Sequence, residues 1–122
     1  VPHFGYVIGE LSRRRLAYLH LIEPRASSAD DASVDSASLF RRLLDGPMIT
    51  AGGYTIEMGV EAVEASRADA VAFGRMFVAN PDLPERIRTG AALNTFDRST
   101  AYGGSAHGYT DYPTLHAAAG AS

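Results

Sequence analysis

Met48-Ile49-Thr50-Ala51-Gly52-Gly53 and, one helix-length later, Ala70-Val71-Ala72-Phe73-Gly74-Arg75 decide how this chain folds. Each is a short apolar run closed by glycine, the form of a strand covered on both faces of a parallel sheet. Between them Thr55 offers an N-cap, and Glu57 falls in the first turn, where the helix dipole favours a carboxylate. Met58, Ala62 and Val63 then recur at helical spacing and predict the apolar stripe of that helix. Strand, helix and strand in this order imply parallel pairing through a right-handed crossover.

The same alternation extends in both directions. Upstream, Leu16-Ala17-Tyr18-Leu19-His20-Leu21-Ile22 is a third apolar run, stopped by Pro24, and it predicts another strand covered on both faces. Before it, Tyr6 to Arg15 reads as an amphipathic helix, with Tyr6, Val7 and Leu11 near one face and Glu10, Arg13 and Arg14 on another. From Ala26 to Ser38 the chain is Ser, Ala and Asp without an apolar period: a loop, either a flexible connection or an active-site lid. Leu39-Phe40 and Leu43-Leu44 predict a helix that Asp45-Gly46-Pro47 ends. Beyond Gly74 a helical turn runs through Phe77, and Asp82-Leu83-Pro84-Glu85 has the form of a capping box opening a helix that Gly90 closes. The remainder, rich in Gly, Tyr, Thr and Asp, reads as a surface excursion with a final helix from Leu115 to Ala119.

Three parallel strands suit an open doubly wound sheet or a segment of a closed barrel. A complete (β/α)₈ barrel takes ~250 residues, and the chain has 122. Helical periodicity begins almost at the first residue, as in a chain cut from something larger.

Composition narrows the chemistry. At 46% hydrophobic and 20% charged, the sequence is that of an ordinary globular protein. It has no cysteine, which excludes disulfides, thiolate metal sites, iron–sulfur clusters and cysteine nucleophiles. It has no lysine, which excludes a Schiff base and a P-loop lysine. A net charge of −3 argues against nucleic acid as a partner. No apolar run approaches the ~20 residues that span a bilayer, and the opening residues lack the pattern of a signal peptide. The expectation is a cytoplasmic protein with neither membrane nor nucleic acid as partner.

The strongest local chemical signal is the pair of strand ends. Glycine at a strand's carboxyl end lets backbone N–H groups approach an anion closely, and a helix N-terminus adds a favourable dipole. Ala51-Gly52-Gly53 and Gly74-Arg75 thus offer a phosphate cradle, with Arg75 as a planar, bidentate cation. Equally, these glycines simply turn the chain. Glu23 and Arg25, at the end of the first strand, suit a catalytic face or an ion pair that closes the strand. His20, inside an apolar run, reads as a hydrogen-bonded core histidine, and the remaining histidines, His3, His107 and His116, have no metal-ligand spacing. Tyr102, Tyr109 and Tyr112 in the Gly-rich tail suit a pocket lining, or packing of the tail on the body.

Read as strings, several stretches resemble the C-terminal part of the old yellow enzyme family of FMN-dependent ene-reductases. They are Tyr18-Leu19-His20-Leu21-Ile22-Glu23-Pro24-Arg25, Ala51-Gly52-Gly53-Tyr54, Ala70-Val71-Ala72-Phe73-Gly74-Arg75 and Asn80-Pro81-Asp82-Leu83. Leu93-Asn94, Asp97-Arg98-Ser99-Thr100 and Gly108-Tyr109-Thr110-Asp111-Tyr112-Pro113 follow in the family's order and spacing. The resemblance implies an α/β fold in which residues 1–122 form part of a (β/α)₈ TIM barrel, the last three βα units plus a C-terminal tail, and not a complete domain. It implies FMN as cofactor, with NADPH or NADH as reductant and a small activated alkene as substrate. Ala51, Gly52, Gly53, Gly74 and Arg75 would hold the FMN phosphate, and Tyr102 matches a tyrosine near the flavin and substrate pocket. Ala101 stands where an aromatic is common, and Ser105-Ala106-His107 fall in a variable stretch. The family's carbonyl-binding pair and its tyrosine proton donor belong to the first five strands, so no catalytic residue is assigned here. The exposed edges and inner face would then be buried by an N-terminal half-barrel chain, by self-association, or by rearrangement into an open fold. The alternative is a catalytically inactive half-barrel acting only as an assembly or interaction module.

Overall fold

The structure is a computed structural model that describes residues 2–23 and 36–119. Its elements are α1 (Pro2–Arg13), β1 (Leu19–Ile22), α2 (Ser36–Arg41), β2 (Met48–Ala51), α3 (Ile56–Glu64), β3 (Ala70–Ala72), α4 (Arg75–Ala79), α5 (Leu83–Thr89) and α6 (Leu115–Ala119). They fall into two compact units, Val1–Ala72 and Phe73–Ser122.

In the first unit the three strands form one parallel sheet in the order β1-β2-β3. Ile22 pairs with Ala51, and Ala51 with Ala72, so all three carboxyl ends finish level. The α/β class and the small parallel sheet agree with a segment of a barrel: β1 and β3 are both edges among the described residues. The core is Ile8, Ala37, Phe40 and Met48, with Leu19, Leu21 and Leu44 packed against it. Asp69 fastens the opposite end of the sheet, where one carboxylate oxygen accepts from the Met48 N–H at 2.7 Å and from Arg41 Nη1 at 3.1 Å.

Four expectations about this unit change. β1 is shorter than its apolar run, and one of its faces is open: Leu19 and Leu21 are half-buried, whereas His20 is exposed and Ile22 is 75% exposed. His20 is therefore no core histidine, because among the described residues only the Leu19/Leu21 face has a cluster to pack on. On α1, which starts at Pro2, the buried residue is Ile8, while Tyr6 and Val7 face outward. On α3, Thr55 does cap the helix, accepting from the Met58 N–H at 3.2 Å, but Gly59 and Ala62 are buried while Met58 and Val63 stay largely exposed. Finally, Ser36, Ala37 and Ser38, expected in the loop, are the first turn of α2. The rest of that loop, with Pro24 and Arg25, lies outside the described residues.

The second unit is short helices joined by a polar knot. Asn80 is fully buried; its amide donates to the Met76 carbonyl at 2.9 Å and accepts from the Asn94 N–H at 2.7 Å. Asn94 in turn donates to the carbonyls of Ala79 and Pro113, each at 2.8 Å. Asp82 does not close the expected capping box. Its carboxylate leaves its own helix end to accept from Arg86 Nε and from the Leu115 N–H, each at 2.7 Å. Buried Arg86 also donates to the carbonyls of Ala92 and Pro113. Gly90 ends α5 with a φ of 66°, as a C-terminal glycine should. Among the described residues no helix is long and apolar enough to cross a membrane.

Candidate functional site

Parallel register puts the loops after β1, β2 and β3 at one end of the sheet, the end where αβ proteins place ligands. At the end of β2, Ala51 accepts from the Glu23 N–H at 2.7 Å, which carries the ladder one residue past β1. Gly52 follows with a φ of 111°, and a Cβ built there would lie 2.7 Å from the Glu23 carbonyl oxygen. Glycine at 52 is therefore required by the close approach of two main chains. Gly53 differs: it has a φ of 71°, and a Cβ there would meet nothing within 4 Å. Its open side is what an approaching ligand needs, so the two glycines of one dipeptide answer to different causes.

Arg25 lies outside the described residues, and Glu23, at the end of β1, is a buried acid that pairs with no described arginine or histidine. It is 9% exposed, and its carboxylate accepts from the N–H groups of Ser36 at 3.2 Å and Ala37 at 2.8 Å. This carboxylate starts α2 earlier than the apolar pattern alone predicts, because it satisfies two of the N–H groups a helix leaves unpaired at its start. The Thr50 hydroxyl lies 3.4 Å from the same carboxylate and 3.3 Å from the Tyr54 hydroxyl. No sequence signal joins Glu23 to residues so far along the chain.

In the second unit, Gly74 precedes α4, and its carbonyl accepts from the Phe77 and Val78 N–H groups, each at 3.0 Å. Its φ of −81° is open to any residue, and a Cβ there would meet nothing within 4 Å. Neither conformation nor internal packing explains a glycine at 74. Arg75 is exposed and makes no hydrogen bond or ion pair with another described residue, unlike Arg13, Arg41, Arg86 and Arg88. Within the first unit, Gly53 leaves an open side at the end of β2, and within the second, Gly74 leaves open space beside the Arg75 guanidinium, which pairs with no described residue. Taken separately, each has groups of the kind a phosphate ester such as that of FMN takes.

The Gly-rich tail is ordered by local hydrogen bonds. The Tyr112 hydroxyl accepts from the Asp97 N–H at 2.9 Å, which makes this tyrosine a packing residue. A Cβ at Gly108, where φ is 72°, would overlap the Thr100 side chain. Tyr102 is 79% exposed and Tyr109 is also exposed. His107 pairs through Nδ1 with Asp111 at 3.0 Å, and that contact, with the Gly108 N–H, holds the Asp111 carboxyl below its usual range. The Ser99 hydroxyl and N–H do the same for Asp97, and Arg86, followed by the Leu115 N–H, for Asp82.

Residues 6–94 match the model of the NADH:flavin oxidoreductase / NADH oxidase family. The chain is 44% identical over 117 residues to 12-oxophytodienoate reductase 2 of Arabidopsis thaliana, which covers 93% of this chain and 31% of that protein. A 12-oxophytodienoate reductase-like protein of Solanum lycopersicum is 43% identical with the same coverage. Among solved structures, morphinone reductase superposes with a TM-score of 0.82 at 49% identity, over 91% of this chain and 30% of that one. Morphinone reductase in complex with tetrahydroNAD gives a TM-score of 0.78 at 50% identity, over 91% of this chain and 29% of that one. The chain thus spans under a third of the length of each of these relatives. Across most of its residues, in both sequence and backbone, the chain belongs to the NADH:flavin oxidoreductase / NADH oxidase family, the old yellow enzyme family of FMN-dependent reductases.

Proposed function

We propose that this chain is the C-terminal portion of an FMN-dependent NAD(P)H:alkene oxidoreductase, the last three βα units and tail of a (β/α)₈ barrel. In this reading residues 1–122 are not a complete domain, and other polypeptide, an N-terminal half-barrel or a further copy, completes the ring. Ala51, Gly52 and Gly53 with Gly74 and Arg75 hold the FMN phosphate: backbone N–H groups at the glycines donate to the anion, and Arg75 neutralises it in a bidentate pair. Tyr102 contributes its exposed ring to the wall of the substrate pocket. Bound FMN supplies the two-electron chemistry, and the residues of this chain orient the cofactor and shape the pocket.

The observation that carries the reading is family membership, beside an open side at Gly53, another at Gly74, and an Arg75 guanidinium that no other described residue uses. The relatives' names supply the substrate class: reductases of morphinone and of 12-oxophytodienoate, one of them solved with tetrahydroNAD. They support a small activated alkene as substrate and a nicotinamide as reductant in the proposed reading.

Native mass spectrometry with flavin detection tests the proposal. The expected result is a yellow sample absorbing at about 450 nm, as bound flavins do, with FMN in a species heavier than one chain. A colourless monomer that unfolds cooperatively, and stays colourless after FMN is added and the excess removed, overturns it in favour of an inactive half-barrel module.

A further inference from the structure

Glu23 is the one buried carboxylate that the proposed function leaves without a task, and its surroundings define one. It touches the 51–53 corner in two independent ways. Its main chain is the wall against which Gly52 lies, since a Cβ at Gly52 would fall 2.7 Å from the Glu23 carbonyl oxygen and 3.2 Å from its nitrogen. Its side chain reaches the Thr50 hydroxyl, and that hydroxyl reaches Tyr54. Thr50 and Tyr54 flank the corner on either side, and Thr50 is fully buried.

Both oxygens of the carboxylate are also committed to α2: Oε2 accepts from the Ser36 N–H, and Oε1, the oxygen that Thr50 reaches, accepts from the Ala37 N–H. These are charge-assisted bonds from a helix start, stronger than neutral ones and little able to swing. No described arginine or histidine pairs with this carboxylate. It is therefore an anchored group, fixed to α2 through both oxygens, and one of these, Oε1, also faces the Thr50 hydroxyl.

The geometry points to Glu23 as a positioning residue: through Thr50 and Tyr54 it holds the Ala51-Gly52-Gly53 corner in the shape that presents its N–H groups. Gly53 has an open side and a positive φ, so nothing in its own packing fixes it. A backbone that must meet an anion from such a position needs bracing from outside, and the hydroxyl relay provides it on both flanks. Only the flavin part of the test below rests on the proposed FMN site.

The experiment uses the full chain with Thr50→Val, Thr50→Ser, Tyr54→Phe and Glu23→Gln. Val keeps the volume of Thr and removes the hydroxyl; Ser keeps the hydroxyl. Amide hydrogen exchange at Gly52 and Gly53 is the first readout, and FMN affinity from quenching of flavin fluorescence is the second. Thr50→Val and Glu23→Gln are expected to speed exchange at the corner at least fivefold and to weaken FMN binding by a similar factor. Thr50→Ser restores both, and Tyr54→Phe falls between. A merely structural Thr50 gives the opposite order, with Val silent and Ser, the smaller side chain, harmful; that result overturns the inference. Exchange unchanged in both Thr50→Val and Glu23→Gln overturns it as well. If exchange quickens as expected while the unaltered chain takes up no FMN, the FMN reading fails and the positioning role stands. Should Glu23→Gln not fold, the Val/Ser contrast at Thr50 still decides.

Discussion

Three glycine-to-alanine changes separate what the fold needs from what a ligand needs. At Gly52 the new methyl group meets two obstacles. A φ of 111° places an L-residue in territory that costs about 1–2 kcal/mol. The methyl also lies 2.7 Å from a backbone oxygen, and backbone cannot swing aside as a side chain can. Relief means stretching the Glu23 N–H bond to Ala51, now 2.7 Å, or parting the ends of β1 and β2. Overpacking of this kind costs about 1–3 kcal/mol, so Gly52→Ala should lose about 2–5 kcal/mol in all. At Gly53, with a φ of 71° and open space, only the conformational term applies, and about 1 kcal/mol is expected. At Gly74 the φ is −81° and the space is open. There the lower unfolded-chain entropy of alanine, a gain of about 0.4–1 kcal/mol, opposes its poorer capping, and stability should stay nearly level.

Urea unfolding of the full chain, with the midpoint compared at constant slope, measures all three. The order of loss should be Gly52, then Gly53, then Gly74 close to zero. FMN affinity should run differently, with Gly74→Ala losing flavin at unchanged stability, because its methyl fills space that only a ligand uses. Equal losses of stability at the three sites, or a loss at Gly74 exceeding that at Gly52, would refute the division of roles. Full flavin affinity in Gly74→Ala would remove that glycine from the phosphate site.

The other predictions are simpler. Arg75→Ala should weaken FMN retention on gel filtration at least tenfold without moving the unfolding midpoint, since no described group relies on its guanidinium; unchanged retention takes Arg75 out of the phosphate role. Asn80→Ala should destabilise the second unit by about 2–3 kcal/mol, because it leaves the Asn94 N–H and the Met76 carbonyl without partners where Asn80 is fully buried; thermal melts followed by circular dichroism report it. Asp82 gives a pH dependence. Its carboxyl is held low by Arg86 and the Leu115 N–H, so the folded form binds the proton less readily than the unfolded chain. The stability this contributes is present above the unfolded value of about 3.9 and is lost as pH falls through the folded one. Melts of Asp82→Asn and of the unaltered chain should therefore converge in acid and part above pH 4, and parallel curves would contradict the assignment.

Glycine-closed runs with an N-capped helix between them were enough to place β2, α3 and β3, because those signals are local: a turn, a cap and an apolar stretch within a few residues. What the local pattern missed was set by partners distant in the chain. α2 begins at Ser36 because a carboxylate thirteen residues earlier takes its first N–H groups. Asp82 has the spacing of a capping box, yet it turns to Arg86 and Leu115, since a buried guanidinium is the stronger claimant on a carboxylate. His20 and Ile22 failed for a different reason. Their apolar neighbours predict burial on two faces, and the described residues supply a core to only one.

That last mismatch bears on function. Apolar side chains scattered over a surface are ordinary, but here they sit where a sheet has open edges and an uncovered face. Ile22 is the sharpest case, at 75% exposed on the last residue of β1, beside the corner that Glu23 braces. On the proposed reading, the outward isoleucine of this strand end and the glycine corner beside it both acquire neighbours from other polypeptide. Ile22→Asp separates the possibilities. If other polypeptide covers that face, the charge should abolish assembly and flavin uptake together while leaving the folded chain no less stable, since the side chain it replaces is already in water. If the face stays open in the working protein, assembly and flavin content should not change, and the half-barrel would have to be regarded as complete in itself.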